Sequence, residues 1–297
     1  DDRKAALKSL DASIATFTEK ARAENPAAYA NPTKIDAEVF YNSFHPFRWA
    51  YVLYMLSAVL LLFVWITNKP KLMSVVWSVA GLAFLLHIFG FAIRVYLSER
   101  PPVSNMYETV VWVAFGAIIF AAILEVIYKF KFILLAGLLV STFSMVIADV
   151  APAILDPTIQ PLEPVLRSNY WLLVHVMTIT ISYAAFFLAF VLSDVSLIYF
   201  LRGEEKNREK IKAVSLAINR SIQIGVVFLA PGIILGGIWA DYSWGRFWGW
   251  DPKETWALIV LLGYIAVLHG RLVGWIKDFG MAATGVGAFA LVIMAWY

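Results

Sequence analysis

Residues 239–256 read WADYSWGRFWGWDPKETW and join two apolar runs, at about 219–238 and about 254–272. They hold five of the chain's twelve tryptophans. Each flanking run approaches the ~20 residues that a helix needs to cross a bilayer core. The stretch therefore links two membrane helices. With no water in lipid to satisfy backbone groups, helices are the economical way to span it. Connections of this kind are usually short and polar, whereas this one is broad, aromatic and interleaved with charge. Two readings stand: a belt of indoles at the membrane interface, or a platform on which something flat lies.

The same pattern repeats outward from this stretch. Of 297 residues, 61% are hydrophobic and 15% charged, and the mean hydropathy is +0.74, beyond the balance of soluble domains. Apolar runs predict helices at about 48–66, 73–97, 105–128, 132–150, 169–201, 219–238, 254–272 and 278–297. The fold class is all-α, a polytopic membrane bundle of about eight transmembrane helices with an external tryptophan-rich loop. The run from Tyr170 to Leu201 exceeds what a bilayer requires and predicts tilt or projection. Pro101-Pro102 and the segment from Pro152 to Pro164 predict non-helical connections, and residues 202–218 read as a short, solvated, charged one. Residues 1–47 are polar. There Leu7, Leu10, Ile14 and Phe17 recur at helical spacing, ahead of Pro26 and Pro32. The domain reading is an external N-terminal segment, 1–47, and a transmembrane domain, 48–297.

Alternation of eight helices sorts the basic residues onto two sides. One side carries Lys69, Lys71, Lys129, Lys131, Arg202, Lys206, Arg208, Lys210, Lys212, Arg220, Arg271 and Lys277; the other carries Arg100, Arg167, Arg246 and Lys253. The richer side is expected to face the cytoplasm. The tryptophan stretch, the N-terminal segment and the chain's end are then external. A net charge of +3 is too small to point to nucleic acid. Membrane lipid is the expected surrounding.

No cysteine is present, which excludes disulfides, thiolate metal sites and a cysteine nucleophile. Hydrolase, Walker-loop and HExxH patterns are absent. His45, His87, His175 and His269 are the only imidazoles. His175 lies one to two turns inside the outer boundary, level with or just below the tryptophan stretch. His269 follows Asp251 along the next helix, about 27 Å lower at 1.5 Å per residue. Each is either a metal ligand or a packing histidine bonded to a neighbouring helix. His87, mid-helix and seven residues from Arg94, reads as packing, and His45 as a surface residue. Glu108, Glu125, Asp149 and Asp194 read as helix-pairing groups, with no acid–base spacing. In the loop, Trp244, Trp248 and Trp250 with Phe247 offer flat rings, while Gly245 and Gly249 permit close approach. Asp251-Pro252 with Glu254 reads as a helix N-terminus. Two imidazoles at different depths beside an aromatic surface suit a flat, metal-bearing, membrane-associated ligand. Haem meets all three descriptions, with Arg or Lys to pair its propionates.

Trp244-Gly245-Arg246-Phe247-Trp248-Gly249-Trp250-Asp251-Pro252-Lys253-Glu254 resembles, without a gap, the WWD motif W-G-x-x-W-x-W-D-x-x-E of the haem-handling proteins of cytochrome c biogenesis. Trp171-Leu-Leu-Val-His175-Val, followed by Ser182-Tyr183, and Pro101-Pro-Val-Ser-Asn-Met-Tyr-Glu108 are similar to segments of the CcsA/ResC branch of system II. The resemblance covers about residues 80–297. The sequence starts without Met and stops at Tyr297 inside an apolar run. It is therefore expected to be the C-terminal part of a fused CcsBA protein, with residues 1–47 ending a CcsB-like domain.

The resemblance implies a function: transport of protohaem (haem b) and its presentation at the outer face. There its vinyls form thioethers with the Cys-x-x-Cys-His of an apocytochrome c, a holocytochrome c synthase activity. It implies His175 as an axial ligand of an outer haem and His269 as a ligand of a transmembrane haem. It places Trp244, Gly245, Arg246, Trp248, Trp250, Asp251, Lys253 and Glu254 in the haem-binding loop, with Arg246 and Lys253 toward the propionates. The implied partners are a CcsB/ResB-like half, apocytochrome c and thiol-reducing proteins, and the implied location is the bacterial inner membrane or the thylakoid. Two departures stand: the family's second external histidine follows the last helix, beyond Tyr297, and the partner of His269 lies in the CcsB half of fused members. A haem exporter or chaperone without ligation activity is the alternative. An unrelated transporter would place its site at mid-membrane between broken helices.

Overall fold

The computed structural model describes residues 2–24, 32–160 and 170–296. Pro26, Pro164, Arg167, Asn169 and Tyr297 lie outside the described residues, as do the sequence readings that rest on them. The described residues form ten α-helices and no strand. They divide into two compact units, 1–45 and 46–297. The first contains α1 (Asp2–Glu24) and α2 (Pro32–Phe44). The spacing read in the sequence is present on α1, where Leu7, Leu10, Ile14 and Phe17 form an exposed row.

The second unit contains α3 (Pro46–Thr67), α4 (Met73–Ser98), α5 (Met106–Tyr128), α6 (Phe132–Val150), α7 (Tyr170–Leu201), α8 (Glu204–Trp244), α9 (Pro252–Leu272) and α10 (Asp278–Trp296). Eight helical stretches of the described residues are long and apolar enough to cross a membrane. The protein is a polytopic helical membrane bundle. Successive helices pack as antiparallel pairs, α3 with α4, α5 with α6, α7 with α8 and α9 with α10. The long α7 is the common neighbour of α5, α6, α8 and α10. An apolar core cluster gathers along it, including Phe186, Leu188 and Leu192.

Helix limits agree with the sequence reading to within a few residues, with one correction. Residues 202–218 are not a solvated connection. All but Arg202 and Gly203 belong to α8, a helix of 41 residues and about 60 Å, roughly twice the hydrocarbon thickness. Asn207, Ile211, Val214, Ser215 and Ile218 recur at helical spacing and are buried. They form a seam along the surplus length of α7, and the Asn207 amide donates to the Tyr199 carbonyl at 3.4 Å. Glu204 and Glu205 occupy the first turn, where carboxylates favour the helix dipole. The charge that marked this stretch as a loop is the outer face of an amphipathic helix. At its other end α8 runs on to Trp244, so the first third of the tryptophan stretch is helical.

Three of the four acidic residues read as helix-pairing groups do hold helices together. Asp149 of α6 takes both Nε and Nη2 of Arg48 on α3, at 3.1 and 3.0 Å, with the Tyr51 hydroxyl at 2.9 Å. Glu125, at the end of α5, accepts the Lys131 and Leu134 amides at 2.6 and 3.3 Å. It thereby satisfies free N–H groups at the start of α6. For Asp194 no such partner occurs among the described residues. Glu108 pairs with Arg94 at 2.9 Å, each side chain only 1% exposed. The Arg94 Nη1 also donates to the Pro157 carbonyl at 2.7 Å. Nearby, the exposed Asp156 carboxyl is held below its usual range by the Thr158 amide.

Candidate functional site

Alternation of the helices brings one set of ends together: the ends of α4, α6, α8 and α10 with the starts of α3, α5, α7 and α9. The tryptophan stretch lies at this end. α8 stops at Gly245, whose φ of +70° is a left-handed terminus that glycine adopts without a Cβ penalty. Seven residues later α9 starts with a capping box. The Asp251 carboxylate accepts the Glu254 amide at 2.9 Å, and the Glu254 carboxylate accepts the Gly249 and Asp251 amides at 2.7 and 3.3 Å. Pro252 occupies the first turn, where its missing N–H costs nothing. Glu254 thus ties the loop back onto the helix that follows. Trp250, between these anchors, is held at φ +57°, an uncommon conformation for a bulky residue.

These elements enclose a cavity of about 550 Å³, within the ~300–1,000 Å³ typical of small-molecule sites. One wall carries Trp239 and Trp244 from α8 and Trp248 from the loop. The facing wall is the segment 103–106 with Thr109 of α5. α7 supplies the back with His175, Ile179 and Tyr183, one helical turn apart, and Trp296 closes the side. The facing wall is pinned from behind. Ser104 donates its amide and hydroxyl to the buried Glu108 carboxylate at 2.8 and 2.6 Å, and Asn105 caps α5 through the Glu108 amide at 2.8 Å.

The His175 ring has a single orientation and tautomer. Its Nδ1–H donates to the Gly232 carbonyl of α8 at 2.7 Å, which leaves Nε2 with its lone pair free. Histidine ligands of metals are commonly arranged in this way, with the outer nitrogen bonded to a carbonyl. The fit depends on a missing side chain: a Cβ at Gly236 would lie 2.6 Å from His175 Cε1 and 2.8 Å from Nδ1. Sequence reasoning did not single out Gly232 or Gly236. The signal was Pro231-Gly232 and Gly236-Gly237 within an apolar helix, small residues at the spacing that lets membrane helices approach.

Not every residue singled out in the sequence lines this cavity. Trp244, Trp248, Asp251, Lys253 and Glu254 do. Trp250 is 69% exposed and stands edge-on to Trp248 at 5.6 Å. Gly245 serves as the helix terminus. Arg246 lies over the Trp244 ring at 5.8 Å and 4.0 Å from Glu254. Lys253 donates to the Trp296 carbonyl at 3.1 Å. The sequence reading did not include Trp239, Trp296, Asn105 or Tyr183 in the site. Trp296 and Asn105 arrive from distant segments that only tertiary packing brings together.

The remaining histidines are elsewhere. His269 is exposed near the opposite end of α9, about 27 Å along the helix from Asp251. Its Nδ1–H donates to the Ile265 carbonyl at 2.8 Å, again leaving Nε2 free. His87 is fully buried, 3.3 Å from the Tyr54 hydroxyl and packed by Phe47, Phe91 and Phe115. That is a packing histidine, as its surroundings in the sequence suggested. His45 lies in the turn after α2 and donates its amide to Tyr41. Among the described residues no group of three His, Cys, Asp or Glu could hold a metal ion. A metal at either open imidazole would take this one protein ligand from the described chain.

The fold and the site together define a class: a multi-pass membrane protein with an indole-walled ligand cavity at one end and a single open imidazole inside it. Comparison with known proteins makes the class specific. The signature of the family described as cytochrome C assembly protein matches residues 103–297. The chain is 33% identical over 250 residues to protein NrfI of Wolinella succinogenes, covering 81% of this chain and 27% of that protein. It is 35% identical over 206 residues to the cytochrome c biogenesis protein CcsA of Chlamydomonas reinhardtii, covering 66% and 57%. With CcsA of Synechococcus sp. (strain CC9902) it shares 30% over 241 residues, covering 71% and 79%. The chain belongs to the cytochrome c assembly protein family, in its CcsA group. It spans about a quarter of NrfI and over half of the algal CcsA.

Proposed function

We propose that this chain carries protohaem and presents it at the outer membrane face, where its vinyls form thioethers with an apocytochrome c Cys-x-x-Cys-His. The observation that carries the reading is the His175 ring, fixed by Gly232 with Nε2 free inside the tryptophan-walled cavity. The excess of basic residues at the opposite ends of the helices supports an external position for that cavity. His269, open at the other end, takes a second, transmembrane haem. Its remaining ligand comes from a CcsB/ResB-like half.

The chemistry asks little of the chain beyond placement. A thiol adds across each vinyl: sulfur bonds the carbon next to the ring, the thiol hydrogen ends on the terminal carbon, and nothing leaves. The chain has no cysteine and needs no nucleophile of its own. Holding two vinyls near two thiols makes the encounter effectively unimolecular. His175 holds the iron, and Trp239, Trp244, Trp248 and Trp296 bound the macrocycle. Protein partners keep the thiols reduced. The cofactor supplies the reactivity and the chain its ligation and orientation.

The test is a His175→Gly variant of the membrane protein, purified and scored for bound haem and for cytochrome c assembly. Loss of the outer haem spectrum, with recovery of spectrum and assembly on adding imidazole, is the expected result. Unchanged haem and unchanged assembly sink the assignment. Haem binding without covalent product, when the purified protein meets a reduced apocytochrome, would make it a haem exporter or chaperone.

A further inference from the structure

Many of the polar groups around the cavity bond to the protein itself. Thr109 and Thr180 donate to carbonyls of their own helices. The Ser104 hydroxyl is spent on Glu108, and one oxygen of each of the Asp251 and Glu254 carboxylates on amides. Lys253 reaches the Trp296 carbonyl. Trp239 and Trp248 bury their indole N–H groups without a partner among the described residues. Tyr183 is the exception at depth. It is 4% exposed, its ring packs beside Trp296 at 5.6 Å, and it lines the cavity. Its hydroxyl makes no hydrogen bond among the described residues. Phenylalanine would fill the same space without leaving a donor unused. Deep in the cavity, two uncommitted polar groups therefore stand on α7: the Nε2 lone pair of His175 and the Tyr183 hydroxyl. An occupant with a metal at one point and a hydrogen-bond acceptor further in satisfies both.

Tyr183 follows His175 by two helical turns on the same face, about 12 Å deeper. The distance suits a ligand bound by its metal at His175 with an acidic arm extending inward. Protohaem carries its carboxylate arms and its vinyls on opposite edges. An anchor at the rim, such as Lys253, would turn the vinyls down into the bundle, away from an incoming thiol. An anchor at the floor turns them toward the opening.

We propose that the Tyr183 hydroxyl donates to a carboxylate arm of the haem ligated by His175, so that the vinyl edge faces the mouth of the cavity. The proposal rests on the function given above and adds the orientation and the residue that sets it. The bond is charge-assisted, stronger than one between neutral groups. It selects porphyrins with free acid arms over their esters.

The experiment uses the full membrane protein with His269→Ala, so that the His175 site alone reports. Binding of protohaem and of its dimethyl ester is followed by the Soret band, in otherwise unaltered protein and with Tyr183→Phe or Lys253→Met added. Without either change, the acid form is expected to bind about tenfold more tightly than the ester, the scale of one charge-assisted hydrogen bond. Tyr183→Phe should remove that preference while keeping the spectrum of a histidine-ligated haem. A preference kept in Tyr183→Phe overturns the proposal. A preference lost in Lys253→Met instead reverses the orientation and also overturns it. Both outcomes leave the proposed function standing. Failure of the protein to bind either porphyrin with Tyr183 and Lys253 intact removes the function as well.

Discussion

Gly236→Ala adds a single methyl group at the back of the cavity, and its effect can be worked from distances. The new Cβ would lie 2.6 Å from His175 Cε1, whereas carbon atoms rest at about 3.5–4.0 Å. The imidazole must retreat by about 1 Å. Gly232 lies one turn back on the same helix, so the retreat stretches the 2.7 Å bond to about 3.7 Å, past the limit of a hydrogen bond. Loss of such an outer partner lowers metal affinity by about 10–100-fold, or roughly 1.4–2.8 kcal/mol. Helix propensity acts in the opposite direction, since Gly to Ala inside a helix gains about 0.5–1 kcal/mol. Weakened haem retention without a lower melting temperature is therefore the signature expected. The assay is haem per protein and the Soret band of the purified His269→Ala protein, with imidazole add-back. Gly81→Ala, whose Cβ meets nothing within 4 Å, is the control. Haem retention in Gly236→Ala equal to that of the control would refute the reasoning.

Glu108→Ala leaves the Arg94 guanidinium buried without its carboxylate, a loss of about 3–5 kcal/mol. It should lower the melting temperature in detergent by roughly 6–20 °C, at about 2–4 °C per kcal/mol. A shift under about 2 °C would show that the pair is not structural. His87→Phe keeps an aromatic ring in an aromatic cage, so haem content should not change and the stability cost should stay below about 1.5 kcal/mol. Loss of haem in that variant would make His87 a ligand.

Much of the architecture was legible because lipid leaves few choices. Apolar runs of bilayer length must be helices, and their count fixes which ends lie together. That alone placed His175 beside the tryptophans and His269 far from them. The capping box of Asp251 and Glu254 was legible for a local reason, since it closes within four residues. Local patterning misjudged residues 202–218. Their charge marks a surface, and whether that surface is a loop or one face of a helix depends on whether α7 is long enough to pack against.

The cavity itself is a tertiary fact. The sequence determined a helical membrane protein with an indole-rich turn and one imidazole near it. Packing of α7 on α8 decided which imidazole nitrogen stays free, through a carbonyl at Gly232 and a missing Cβ at Gly236. Packing of α5 and α10 brought Asn105 and Trp296 to the same space. It also turned Trp250 outward while Trp239 faces in, although both belong to the same stretch of eighteen residues. Side-chain direction at a helix end follows from the rotation of the helix and the path of the loop. Neighbouring helices set both, so residue type alone could not reveal it.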